Sequence, residues 1–233
     1  MLKKIYPATI LAIAVVILGL CLKSGIDNFT NKDRRVTVKG LSEIEVDADK
    51  VTWPILSREL GNNLPDLYVK IGQTQDAIKQ FLMSNGIKAE EIAINAPTVV
   101  DMNANQYSEN RSPYRYNITS SMTVTSSNVK LVRSLIDRQG ELLKEGIAII
   151  NDQYDARVTY EYVSFAAMKP KMMEEAIKNA EATALQFAEN SNSKLNKIIS
   201  ADQGQFSISD RDNYTPYIKK VRVVTTITYS LKN

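Results

Sequence analysis

From Ile5 to Leu22 the chain carries no charged side chain and is built mainly from Ile, Leu, Val and Ala. As a helix rising 1.5 Å per residue, that run covers about 27 Å, close to the hydrocarbon thickness of a bilayer. No other feature constrains the chain as much, because it bears on where everything after it must lie. Lys3 and Lys4 precede the run, Lys23 follows it, and no Asp or Glu occurs before residue 24. The positive-inside rule therefore places residues 1–4 in the cytoplasm and the chain beyond Lys23 on the far side. A secretory signal peptide shares the basic start but has a shorter apolar centre of about 7–15 residues and a small-x-small cleavage site. The segment Leu20-Cys21-Leu22-Lys23-Ser24-Gly25 offers no such site, and Leu20 before Cys21 argues against acylation of that cysteine. The expectation is an uncleaved transmembrane anchor at 5–22, with Pro7 tolerated in its first turn. A cleaved signal sequence is the alternative. Residues 23–34 are polar and read as a linker.

Composition narrows the chemistry of the remainder. A hydrophobic content of 44% is enough to bury a core. With Lys3, Lys4 and Lys23 set aside, the 29 basic side chains fall to 26, equal to the 26 acidic ones. A balanced domain has no net field to gather phosphate backbones, so no nucleic acid is expected as a partner. Histidine is absent, which removes the usual general base, the usual zinc ligand and any Ser-His or Cys-His pair. Cys21 is the only cysteine and lies inside the apolar run, so the domain has neither an internal disulfide nor a thiolate site. The expectation is a protein without cofactor, metal or catalytic residues, and not an enzyme.

Hydrophobic periodicity predicts interleaved strands and helices from residue 35 onward. Val36, Val38, Ile44 and Val46 share one parity, the mark of a half-buried strand, with a bend expected at Gly40. After a turn at Asp47-Ala48-Asp49, Val51, Trp53 and Ile55 continue as a second strand, with Pro54 pointing to an edge or a bulge. A helix is expected from Asn63 through Leu67, Ile71, Ile78 and Leu82 to a stop at Gly86. Ile92 to Val100 reads as one strand and Tyr114 to Val124 as a longer one. Ser126 or Ser127 is placed to cap a helix ending near Gly140. Ala156 to Tyr162 alternates as a strand. The longest helix is expected from about Ser164 to Asn190, with a kink or a restart at Pro170. Ala176, Ala180, Ala184 and Ala188 repeat every four residues along it, giving a smooth face for close approach by the chain's own sheet or by a second copy. Lys197 to Ala201 and Val221 to Leu231 supply the last strands. The fold class expected is α+β, mostly antiparallel sheets with packed helices, over one domain at 35–233.

The order of these motifs resembles the SIMPL-domain family, of the periplasmic immunogenic protein and oxidative-stress-defence type. Val36-Thr37-Val38-Lys39-Gly40 followed by Ile44-Glu45-Val46-Asp47-Ala48-Asp49 resembles the family's opening strand and turn. Asn85-Gly86-Ile87-Lys88-Ala89-Glu90-Glu91-Ile92, the strand Tyr114-Arg115-Tyr116 and the Ala176-to-Leu185 helix are similar to its later features, and together they span nearly all of 35–233. Ser42 stands where many members have a second Gly, Trp53-Pro54 interrupts the second strand, and Asn179 and Thr183 replace more usual charged positions. The resemblance implies an envelope protein with its domain in the periplasm, anchored in the inner membrane or soluble after cleavage. It also implies a homo-oligomer, and no established catalytic activity.

Few residues invite a sharper reading. Asp47 and Asp49 are close enough for a paired-carboxylate site, but Asp favours turns by bonding its own backbone. Asp101 to Asn105 opens like a calcium loop, yet Gln106 occupies the place that needs Gly. Tyr107, Tyr114 and Tyr116 form a possible aromatic platform for a cell-envelope glycan or peptide, the alternative to a structural or interaction role. Ala176, Ala180 and Ala184 are the candidate interface on the late helix.

Overall fold

Alternation of apolar and polar side chains organises most of the residues that the computed structural model describes, which are 5–31, 34–104, 113–150 and 156–232. Two strands carry it furthest. β2 (Lys50–Gly61) and β5 (Tyr116–Ser126) pair antiparallel along their whole length, Val51 opposite Ser126 and Gly61 opposite Tyr116. They are central in a six-stranded sheet of order β3-β5-β2-β6. β3 (Ile92–Ile94) and β4 (Thr98–Asp101) share the outer edge of β5, while β6 (Ile149–Ile150) and β7 (Thr159–Glu161) share that of β2.

Pro54 is therefore not on an edge strand. β7 pairs with residues 50–52 and β6 with residues 56–57, so Pro54 falls in the gap where no partner asks for its missing N–H. The strand expected over 92–100 is likewise split. Asn95 still donates to the Ser121 carbonyl at 3.0 Å, but Ala96 and Pro97 then bulge before pairing resumes at Thr98 opposite Thr119.

Helix α2 (Leu64–Ser84) starts and stops where the sequence indicates. Asn63 is its N-cap, Pro65 lies in the first turn, and Gly86 beyond its end adopts φ +98°. Leu67, Ile71, Ile78 and Leu82 form its buried face. Helix α3 (Val129–Asp137) is capped by Asn128, whose side-chain oxygen accepts from the Leu131 N–H at 3.1 Å. The serines anticipated in that role sit earlier, Ser126 Oγ accepting from the Asn128 N–H. Gly140 does not end this helix but opens a short one, α4 (Gly140–Lys144). The main core joins Val51, Trp53, Ile55, Ile78, Leu82, Met122, Val124, Val132, Leu135 and Leu142. Each fully buried aliphatic side chain of this kind contributes about 1.5–3 kcal/mol.

The remaining strands form a second sheet of order β1-β10-β8, from β1 (Arg35–Asp47), β10 (Ile218–Lys232) and β8 (Lys194–Gln203), with β9 (Ser207–Asp210) also on β10. β10 pairs antiparallel with β8. Helix α5 (Lys169–Asn190) has Pro170 in its first turn and follows a 3-10 turn at Ser164–Ala167, so the proline starts the helix and does not kink it. The chain thus divides into two compact units, each discontinuous in sequence. One is Met1–Ile44, Ala167–Ser207 and Val221–Asn233; the other is Glu45–Ala166 and Ile208–Lys220.

Helix α1 spans Ile5–Asn31, beyond the end of the apolar run at Leu22 and through most of the stretch read as a linker. Among the described residues no helix is long and apolar enough to cross a membrane. Side chains of the span are described only from Leu11; those of residues 5–10 lie outside the described ones.

Candidate functional site

The β1–β2 turn shows what the paired aspartates do. The Ala48 N–H donates to the Tyr217 carbonyl at 2.8 Å and that of Asp49 to the Glu161 carbonyl at 3.0 Å. The Asp49 carboxylate receives the Val163 N–H at 2.6 Å and the Ser164 N–H at 2.8 Å, capping the Ser164–Ala167 turn. Partial burial raises its pKa, but the Ser164 hydroxyl and these two amides together hold it below the usual carboxylate value. A depressed pKa is the wrong direction for a general base near neutrality. Asp49 is a structural cap.

That pKa shift has a pH signature. The folded carboxyl titrates below its unfolded value of 3.8, so its contribution is complete above that value and is lost as pH falls through the folded pKa. Asp49→Asn keeps the size and loses the charge-assisted bonds. The expected cost at pH 7 is about 1 kcal/mol, shrinking at acid pH where the wild type has lost the same term. Urea unfolding from pH 2 to 7 checks both.

Beside this turn lies a cavity of about 350 Å³ lined by Asp47, Asp49, Asn128, Lys130, Arg133 and Tyr217 among others. Much of its polar lining is already engaged. Asn128 caps α3, Asp49 caps the 3-10 turn, and the Arg133 guanidinium lies 3.3 Å from the centroid of the Tyr217 ring. Tyr217 in turn meets Tyr160 edge-on, with centroids 6.1 Å apart at 71°. Burial raises the Tyr160 hydroxyl pKa, with Arg133 opposing. Among the described residues no group of three acidic or thiol side chains converges to hold a metal.

Of the tyrosine platform only Tyr114 and Tyr116 fall among the described residues. Tyr107 lies outside the described residues. Tyr114 is exposed, whereas Tyr116 packs against the cluster of Leu67, Ile71 and Ile118. Arg115 reaches over the Tyr116 ring at 5.0 Å and pairs with Asp101 at 3.0 Å. Asp101 also accepts the Asn103 N–H at 3.0 Å, so the carboxylate that would open a calcium loop is bonded within the chain. Tyr214, near Tyr217 in sequence, is 93% exposed, whereas Tyr217 is packed against Tyr160.

Of the two readings of the alanine face, the structure shows close approach by the chain's own sheet. Ala176, Ala180 and Ala184 are each 0% exposed, and Ala180 and Ala184 join Val38, Ile227 and Tyr229 in one apolar cluster. The smooth face is spent on the chain's own sheet, so no alanine surface is left for a second copy. One buried charge escaped the sequence reading. Lys219, 7% exposed, pairs with Asp210. The available signal was its parity, since Lys219 shares the inward face of β10 with Val221, Val223 and Thr225.

A family model described as "SIMPL: Protein of unknown function (DUF541)" matches residues 36–228. The chain belongs to the SIMPL family. The SIMPL match takes in residues of both compact units and leaves out α1. No curated protein sequence matches the chain. Among solved structures it is similar to the ligand-free regulatory subunit of aspartate kinase from Thermus thermophilus, at 13% identity and a TM-score of 0.19. That likeness covers 80% of this chain and 87% of the other, and at such a score it carries no argument. The residues at which this SIMPL protein departs from the usual pattern are structurally employed. Ser42 Oγ donates to Glu175 at 2.9 Å, Asn179 Nδ2 donates to the Leu41 carbonyl at 2.7 Å, and Thr183 Oγ1 donates to the Asn179 carbonyl at 2.8 Å.

Proposed function

We propose that this SIMPL protein is a structural or interaction protein of the cell envelope, held in the inner membrane by its first helix. Its domain works outside the cytoplasm, without catalysis, and self-associates. The observation that carries the reading is the state of α1. Every Ile, Leu and Val from Leu11 to Leu22 is more than half exposed. An apolar surface of that extent is costly in water and at no cost in lipid. The lysines at 3, 4 and 23 and the uncharged stretch back to Ile5 support the same orientation. Self-association rests on the family resemblance.

Fractionation followed by protease treatment of spheroplasts tests the location. The full-length polypeptide is expected in the membrane fraction after carbonate washing, with the region after residue 34 digested from outside. Recovery of the intact polypeptide in the cytosol would overturn the proposal.

A further inference from the structure

β8 is an edge strand with one neighbour, β10, among the described residues. Its ten residues are exposed or half-buried throughout, and Ile198 and Ile199 are 55% and 49% exposed. A strand of this length at the edge of a sheet is a template for another strand. The question is which strand fits it, and β8 itself carries complementary ends, Lys194 at one and Asp202 at the other.

Pairing with β10 fixes which way each side chain points. Ala201 stands opposite Ile227, Ile198 opposite Tyr229 and Leu195 opposite Leu231, all on the side of the buried β10 residues. Ser200, Asp202 and Lys194 stand opposite Thr228, Thr226 and Lys232 on the other side. An antiparallel copy of β8 centred on Ile198 therefore matches face to face. Ile198 meets Ile198 of the second copy, Leu195 meets Ala201, and Lys194 meets Asp202, the last two twice by symmetry. Two irregularities interrupt β8, one at Ile199 and one at Asn196-Lys197. Bulges ordinarily discourage pairing at an edge. Here the centred register sets Lys197 opposite Ile199, so the two irregularities coincide. Shifting the register by one residue sets outward Lys194 against inward Ala201, so the faces no longer match.

We propose that two copies of the chain join through β8, antiparallel about a two-fold axis at Ile198, so that the β1-β10-β8 sheets become one continuous sheet. This deepens, and rests on, the reading that the chain self-associates. Backbone ladders supply the attraction, and the Lys194–Asp202 pairs select the register.

The test uses the full chain in its native membrane with Cys21→Ser, so that an introduced cysteine is the only thiol. Cross-strand Cα atoms at about 4.5–5.5 Å fall within disulfide range. Ile198→Cys is thus expected to give a covalent dimer on mild oxidation. Lys194→Asp or Asp202→Lys added to it should each lower the dimer yield about tenfold, because the axis counts each changed pair twice. Lys194→Asp with Asp202→Lys should restore it, which a folding defect would not do. A chain that sediments as a dimer but neither crosslinks at 198 nor responds to the charge reversals overturns the β8 register alone. A strict monomer overturns self-association with it.

Discussion

Substituting alanine for Gly40 is expected to unfold the unit it belongs to more readily than any other single-methyl change. A Cβ built at Gly40 would lie 1.8 Å from the Ala176 carbonyl oxygen, 2.6 Å from the Ala180 nitrogen and 2.8 Å from the Ala180 Cβ. Two of those atoms are backbone of α5, so no rotamer relieves the contact and the helix itself must move off β1. A cost of about 3 kcal/mol is expected, the upper end of the usual range for overpacking. A second substitution sharpens the expectation. Ala180→Gly removes one of the three clashing atoms but leaves the Ala176 carbonyl, so the pair should be no more stable than Gly40→Ala alone. Guanidinium unfolding followed by circular dichroism reads both. A Gly40→Ala variant with an unchanged midpoint would mean that α5 does not approach β1 this closely.

The second large effect is expected in the other unit. Trp53 is 3% exposed, stands opposite Val124 in the β2–β5 ladder, and belongs to the cluster that includes Leu82, Met122 and Leu135. Trp53→Ala opens a hole that surrounding strands and helices fill only in part, with an expected loss of about 3–5 kcal/mol. Trp53→Phe keeps a ring in the space and should lose less. Circular dichroism is again the readout, because Trp53 is the only tryptophan of the chain. A loss under about 1 kcal/mol for the alanine variant would place the ring at a surface and not in a core.

What could be read ahead of the structure follows from the range of the interactions involved. α2 was legible because its signals are local: a proline in the opening turn, apolar residues at helical spacing, and a glycine at positive φ beyond the end. Long strands were legible where one face is buried, as in β5, whose inward residues alternate from Ile118 to Ser126. Short strands such as β6 have too few residues for a period, and they exist only because β2 offers them an edge. Pro54 misled for the same reason. Its tolerance in a central strand depends on a gap between β6 and β7, which no window around residue 54 contains. The alanine repeat announced a close approach but not its partner, which is Gly40, far away in sequence. Among candidate site residues, Asp49 was legible as a turn residue, while the packing of Tyr116 against α2 depends on tertiary contact.

The discontinuity of the first unit governs the order in which this polypeptide acquires its shape. β10 lies between β1 and β8, so the opening segment, residues 1–44, lacks its central neighbour until residues 221–233 have been made. Nothing in that half can close early, however fast its local helices form. Premature termination anywhere before residue 221 leaves β1 and β8 without the strand that joins them, and leaves Val38 and the α5 alanines without Ile227 and Tyr229. Until residues 221–233 are made, those apolar side chains have only water or a chaperone to cover them.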